Sequence, residues 1–404
     1  MKIATKIFYY TLIIFLMAWI LPSLYNFLFY QPNSIANYKY SPITKNFVHW
    51  EYTDGQSLYL DSENNHYNQD QYDSLLPVTY YFILQSKNKA IDSLEGYSID
   101  RMSIGMGMAS GSGGPRNINT PHLGVKEIME STKYRLALQD PTQVFRFTKN
   151  SMEIINKRDN KIDTLKTRLF TDAFNEAGIQ WPVLRSSGSP SSRKSYDFGY
   201  IILDSNNEVY HMMQVHGKPY VRKTSVTPDM GIDLISMREP MNKEYLGYLL
   251  GNNSLSLLMA NKDYTTTKLD FPLNMHKENF WIMGNMLYWT VTVARDDSFD
   301  LYAINAHTYK TVLHEHHERP VMKYTKTLKW VFPFTVNFQR KTDRWIYPSF
   351  ANFSWYALIL NLLLSGLLVF IQRKRKDTNY GMSIITIFFG LFSFVPALFI
   401  KENS

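Results

Sequence analysis

The densest group of side chains able to do chemistry is His314-Glu315-His316-His317-Glu318. Imidazole and carboxylate together suit zinc, copper, iron or nickel. On a strand, His314 and His316 share one face while Glu315 and His317 take the other, so one strand offers an ion two ligands at most. The spacing is not the HExxH of helical zinc sites. His314, His316 and His317 are therefore the expected metal ligands if a zinc or copper ion is held. The plainer reading is a solvated strand end running into Pro320. A second group is Met102, Met106 and Met108 in RMSIGMGMASGSGG. Thioethers bind Cu(I) and also fill cores.

Other chemistries find less support. Gly105, Gly107, Gly111, Gly113 and Gly114 fit neither GxGxxG nor GxxxxGKS/T, so no phosphate loop is indicated. There is no GxSxG elbow. Acidic pairs such as Asp296-Asp297 could serve an envelope glycan hydrolase, but Asp is also common in β-turns. No cofactor is expected, with a transition metal such as zinc or copper as the alternative. The chain has no cysteine, which removes disulfides, thiolate metal sites and cysteine nucleophiles together.

The elements that would carry these groups follow from where apolar residues lie. The composition is 45% hydrophobic, yet that share is concentrated in two terminal blocks flanking a polar interval. The stretch from Ile7 to Phe29 is almost continuously apolar, long enough for a hydrocarbon core of about 30 Å. It runs on through Trp19, Pro22 and Tyr25 without a small-x-small cleavage site, so it reads as an uncleaved anchor. A second block is most apolar over 355–371, and a third covers 381–400. Trp345, Tyr347, Trp355 and Tyr356 form an aromatic belt at the outer end of the second.

The net charge of +8 does not mark a nucleic-acid binder, because much of it flanks the apolar blocks. Lys2 and Lys6 precede the first, and Arg373, Lys374, Arg375 and Lys376 separate the last two, where the positive-inside rule places them. The predicted topology is a multi-pass protein of the inner, cytoplasmic membrane with three transmembrane helices in the lipid bilayer. Residues 1–30 are the anchor, 31–344 a β-rich extracytoplasmic domain facing the periplasm or cell exterior, and 345–372 the second span. Residues 373–380 are a basic cytoplasmic loop, and 381–404 the third span and a short extracytoplasmic tail. The spans carry no ionisable residue of the kind that marks a proton or ion path.

Within the polar interval, helical spacing occurs around Lys166 to Ile179, with Gly178 as a stop. Elsewhere, short apolar runs alternate with Asn, Asp, Gly and Ser clusters. Gly199 to Met212, Gly247 to Leu258 and Phe280 to Thr290 each read as strand, turn, strand, and Val144 to Ile155 is a looser copy. Such a series predicts a propeller-like domain, with a β-sandwich as the alternative.

The segment Tyr59 to Ile99, the run Gly188 to Lys194, Asp197-Phe198-Gly199-Tyr200, and Gly217 to Arg222 together resemble an uncharacterised bacterial membrane-protein family, domain of unknown function 4857. The resemblance covers most of residues 45–320. It implies no catalytic or ligand residues. It implies genes beside ABC-transporter components, hence permease and ATPase subunits as partners; the chain itself has no Walker A sequence. The expected function is a non-enzymatic accessory protein with an outer partner- or cargo-binding domain. The alternatives are an extracytoplasmic metal or small-ligand binder and an envelope glycan or peptide hydrolase.

Overall fold

A computed structural model describes residues 2–29, 36–53, 55–120, 122–132, 138–194, 196–295, 297–318, 323–338, 346–375 and 380–399. The chain divides into a helical unit, residues 1–33 with 319–404, and a β-rich unit, residues 34–318.

All four expected hairpins form in the β-rich unit, and each belongs to a larger antiparallel meander. The first sheet has strands Asn37–Ser41, Asn46–Thr53, Gln56–Asp61 and His66–Tyr67; the second, Lys126–Glu127, Gln143–Phe147 and Met152–Asn156. The third has Arg185–Gly188, Tyr200–Leu203, Val209–Val215 and Lys218–Lys223; the fourth, Ile232–Met237, Tyr245–Gly251, Ser254–Met259 and Thr266–Lys268. The fifth runs in order from Thr311–Glu318 through Ser298–Asn305, Tyr288–Ala294 and Asn279–Gly284 to Ala109–Gly113, a strand recruited from far upstream.

Strand alternation assigns each side chain to one neighbouring sheet or the other. In Tyr200–Leu203, Tyr200 and Ile202 join the core shared with the second sheet, including Phe145, Ile154, Phe170 and Phe174. Ile201 and Leu203 point the other way, into a core with Leu246, Leu249 and Leu258 of the fourth. Tyr248, Leu255 and Leu257 of the fourth then meet Phe280, Ile282 and Val291 of the fifth. Strands buried on both faces read as continuous apolar runs, which is why period two is faint in the sequence here. The first sheet packs on the fifth, through Tyr40 and Phe47 against Leu301 and Ala303. The sheets therefore neighbour one another in the order second, third, fourth, fifth, first. Among the described residues no buried cluster joins the first sheet to the second.

The expected helix forms as Thr164–Glu176, capped by the Asp163 side chain on Lys166 N–H and followed by Gly178 at φ +88°.

In the helical unit, Lys2–Leu28 is one helix of 27 residues, about 40 Å long at 1.5 Å per residue. Ala357–Lys374 is the second long helix. Stretches Phe8–Leu28 and Ala357–Lys374 are both long and apolar enough to cross a membrane. The third expected span is not a single helix. Gly381–Phe389 and Leu391–Phe399 are two helices of nine residues each, parted by Gly390 at φ +53°, ψ −128°. Each is about 14 Å long, half a hydrocarbon core.

The chain doubles back at Gly390. Thr386 Oγ1 donates to Ser393 Oγ across the bend at 3.2 Å. Arg375, just beyond the second long helix, donates from Nη1 to the Leu398 carbonyl at 3.2 Å. In one continuous helix Leu398 would lie about 24 Å from Met382, out of reach. Buried side chains reach backbone carbonyls around the bend, where the surround is apolar. Asn361 Nδ2 donates to the Ile387 carbonyl at 3.2 Å, and Ser365 Oγ to the Ser383 carbonyl at 2.7 Å. A short amphipathic helix, Lys323–Val331, and the strand pair Thr335–Phe338 and Pro348–Ala351 also belong to this unit. The polar interval expected to run to residue 344 thus gives its last stretch to the helices, where Leu328, Phe332 and Val336 pack with Ile14, Ala18 and Phe392.

Candidate functional site

The histidine cluster occupies the edge strand Thr311–Glu318, whose residues alternate between half-buried and exposed. His314 and His316 do share a face. His314 Nε2 and His316 Nδ1 both donate to Asp300 Oδ1, at 3.0 and 2.9 Å. The other Asp300 oxygen accepts from Arg295 Nη1, and Arg295 Nε donates to Glu278 at 2.6 Å. Burial pushes the Asp300 carboxyl up, but the hydrogen bonds from Arg295, His314 and His316 outweigh it and hold the group at about 2. Arg295 already supplies the positive charge a metal would bring. His317 faces away, bonded to Glu315 at 2.9 Å and stacked on Phe299 at 5.0 Å. The three histidines do not converge, and among the described residues no group of three or more His, Asp or Glu is arranged to hold an ion.

The methionine loop has a different setting. Asp100 caps the short helix Arg101–Met106 by accepting from the N–H groups of Met102 and Ser103. The chain then passes Gly107 into the strand Ala109–Gly113 at the edge of the fifth sheet. Gly107 lies directly on Met286: a Cβ at 107 would fall 2.2 Å from the Met286 Cβ. Beside that contact lies a cavity of about 180 Å³ whose lining includes Met106, Met108, Met286, Trp289, Glu244 and His307. Trp289 is buried, whereas Met108 is 65% exposed. His307 stacks on Tyr97 with ring centres 4.3 Å apart. Glu244 is held at the rim by the Tyr309 hydroxyl at 2.7 Å and Asn242 Nδ2 at 3.0 Å. Met102, 72% exposed on the helix, does not line the cavity. Sequence reading found Met106 and Met108 but missed Met286, Trp289 and His307, which lie well over a hundred residues downstream with no local motif to mark them.

Of the remaining residues singled out, Arg373 and Lys374 end the second long helix and Arg375 caps it. Lys2 and Lys6 fall within the N-terminal helix. Lys376, Asp296, Pro320 and Trp345 lie outside the described residues.

No curated protein matches this chain. Among solved structures, the dihydro-heme d1 dehydrogenase NirN in complex with DHE is similar at 10% identity over 70% of this chain and 72% of that one, with a TM-score of 0.22. A superposition that loose carries no functional argument. The family profile is informative: it matches residues 37–304, beginning at the first strand of the first sheet and ending within the fifth. The chain belongs to the family described as Domain of unknown function (DUF4857).

Proposed function

We propose that this protein is a non-enzymatic, membrane-anchored accessory protein whose β-rich unit binds a partner or cargo on the extracytoplasmic side. The observation that carries the reading is the surface of the helical unit. Only 17% and 28% of the two long apolar stretches are buried within the chain. Phe27, Leu363 and Phe388 are 79%, 68% and 66% exposed, a burden in water that lipid removes. Lys2, Lys6 and Arg373 to Lys376 orient the two long helices with the β-rich unit outside. Trp330 and Tyr356, with ring centres 4.9 Å apart, supply the amphipathic rings of an outer interfacial belt.

The five meanders support a propeller-like arrangement, each sheet acting as one blade that buries its faces on its neighbours. The family resemblance adds a bacterial inner membrane and an ABC-transporter permease and ATPase as the partners. Mild detergent solubilisation of the intact protein, followed by affinity capture and identification of bound chains, tests the reading. A permease and its ATPase are expected in stoichiometric amounts. Recovery of the chain alone across several detergents and crosslinkers overturns it.

A further inference from the structure

Four separated segments bring soft donors to one cavity: residues 106–109, 240–245, 286–289 and 306–307. The donors are the thioethers of Met106, Met108 and Met286 and the imidazole of His307, with the Trp289 indole and Tyr245 beside them. No Lys or Arg lines the cavity, and Glu244 gives it one carboxylate. This inventory has a chemical direction. Calcium and magnesium demand oxygen ligands, and zinc takes imidazole, thiolate or carboxylate. Uncharged thioethers with an imidazole select a soft ion such as Cu(I). An indole face adds cation–π attraction, and Glu244 offsets the ion's single charge.

Core filling accounts for Met286, which packs beside Val78, Tyr81 and Leu287, but not for the whole grouping. A methionine that only packs a core is buried, yet Met108 and Met241 are 65% and 59% exposed. Met241 lies against the same loop, its sulfur 4.0 Å from where a Gly105 Cβ would stand. Met108 lines the cavity while exposed, so its thioether is open to an incoming ligand. The volume of about 180 Å³ is more than one ion requires and leaves room for the side chains to close in.

We infer that the cavity at Met106, Met108, Met286 and His307 binds one soft monovalent cation of the Cu(I) class. The inference names a cargo for the anchored β-rich unit and so rests on that unit being a binding domain; it does not depend on any transporter partner.

The experiment uses the full-length protein in detergent, titrated with Ag(I) as a redox-inert probe and, without oxygen, with Cu(I) competed against a chromogenic chelator. One equivalent of each is expected to bind. Replacing Met106, Met108 and Met286 by Leu, which conserves volume, is expected to weaken binding about tenfold or more. His307→Ala is expected to weaken it less. The variant with His314, His316 and His317 all changed to Ala is expected to bind like the parent, and Zn(II) is not expected to displace Ag(I). Absence of stoichiometric binding in the parent, or unchanged affinity in the Leu variant, overturns the inference. Should the Leu variant lose its cooperative melting, the pair Met108→Leu and His307→Ala, both exposed positions, gives the decision: unchanged affinity there overturns it equally.

Discussion

His211 is 3% exposed, with Nε2 donating to the Phe198 carbonyl at 2.6 Å and Nδ1 accepting from the Tyr264 hydroxyl at 2.9 Å. Burial lowers its pKa to about 4, against a smaller opposing effect of the Phe198 carbonyl. A histidine kept neutral in the fold titrates near 6.5 once unfolded. Its contribution is therefore complete above about pH 6.5 and is lost as pH falls toward 4, on the order of 3 kcal/mol across that window. Urea midpoints of the detergent-solubilised protein should fall from pH 7.5 to 4.5, and a His211→Asn variant, less stable at the upper end, should show a flatter slope. Parallel slopes would count against a neutral buried ring. The same scale shows what was legible in the sequence. Strand period two placed His314 and His316 on one face, because that needs only local geometry. It could not show Asp300, which meets them from the neighbouring strand, or Arg295, which holds Asp300 from the turn before that strand, nor the approach of Gly107 to Met286.

At the scale of elements, the doubled-back pair 381–399 illustrates a limit of hydropathy. A spanning helix and a hairpin that enters and leaves from one side have the same apolar length, so counting apolar residues cannot separate them. The distinguishing features are small: Gly390 in a backbone conformation with φ +53°, Thr386 and Ser393 buried and bonded across the bend, and Ser383 buried against Ser365 and Gln372 of the second long helix. Arg375 and Leu398 are bonded, so the far end of this pair returns to the end of the second long helix; under the proposed orientation that is the cytoplasmic side, opposite to the side expected for the tail from a through-going span. A green fluorescent protein fused to the C-terminus should fluoresce, as it does only on the cytoplasmic side. An added Cβ at 390 would stand 2.0 Å from Asn361 Oδ1. Gly390→Ala should therefore lower the melting temperature by several degrees, the result of about 1–3 kcal/mol of strain and displaced packing. A dark fusion, or an unaffected melt, would speak for a through-going third span.

On the scale of the whole molecule, hairpins were readable and their neighbours were not. Turn residues and short apolar runs announce a meander wherever it occurs. Which meander packs on which depends on surfaces far apart in the chain, and the first sheet settled on the fifth. Tyr40 N–H donates to Thr290 Oγ1 across 250 residues, and Ser62 Oγ donates to Glu315 across 253. That pairing has a consequence for biosynthesis. At about 5–20 residues per second, the first sheet emerges roughly 12–50 seconds before its partner. Through that interval the side of Tyr40 and Phe47 that meets Leu301 and Ala303 stays uncovered, and contacts of such long range form late. A chain stopped after residue 278 should be cleaved by added protease within residues 37–67 much faster than the intact protein. For a cell, the opening sheet of this domain is an unfinished edge that must be kept from other chains until nearly the whole domain has been made.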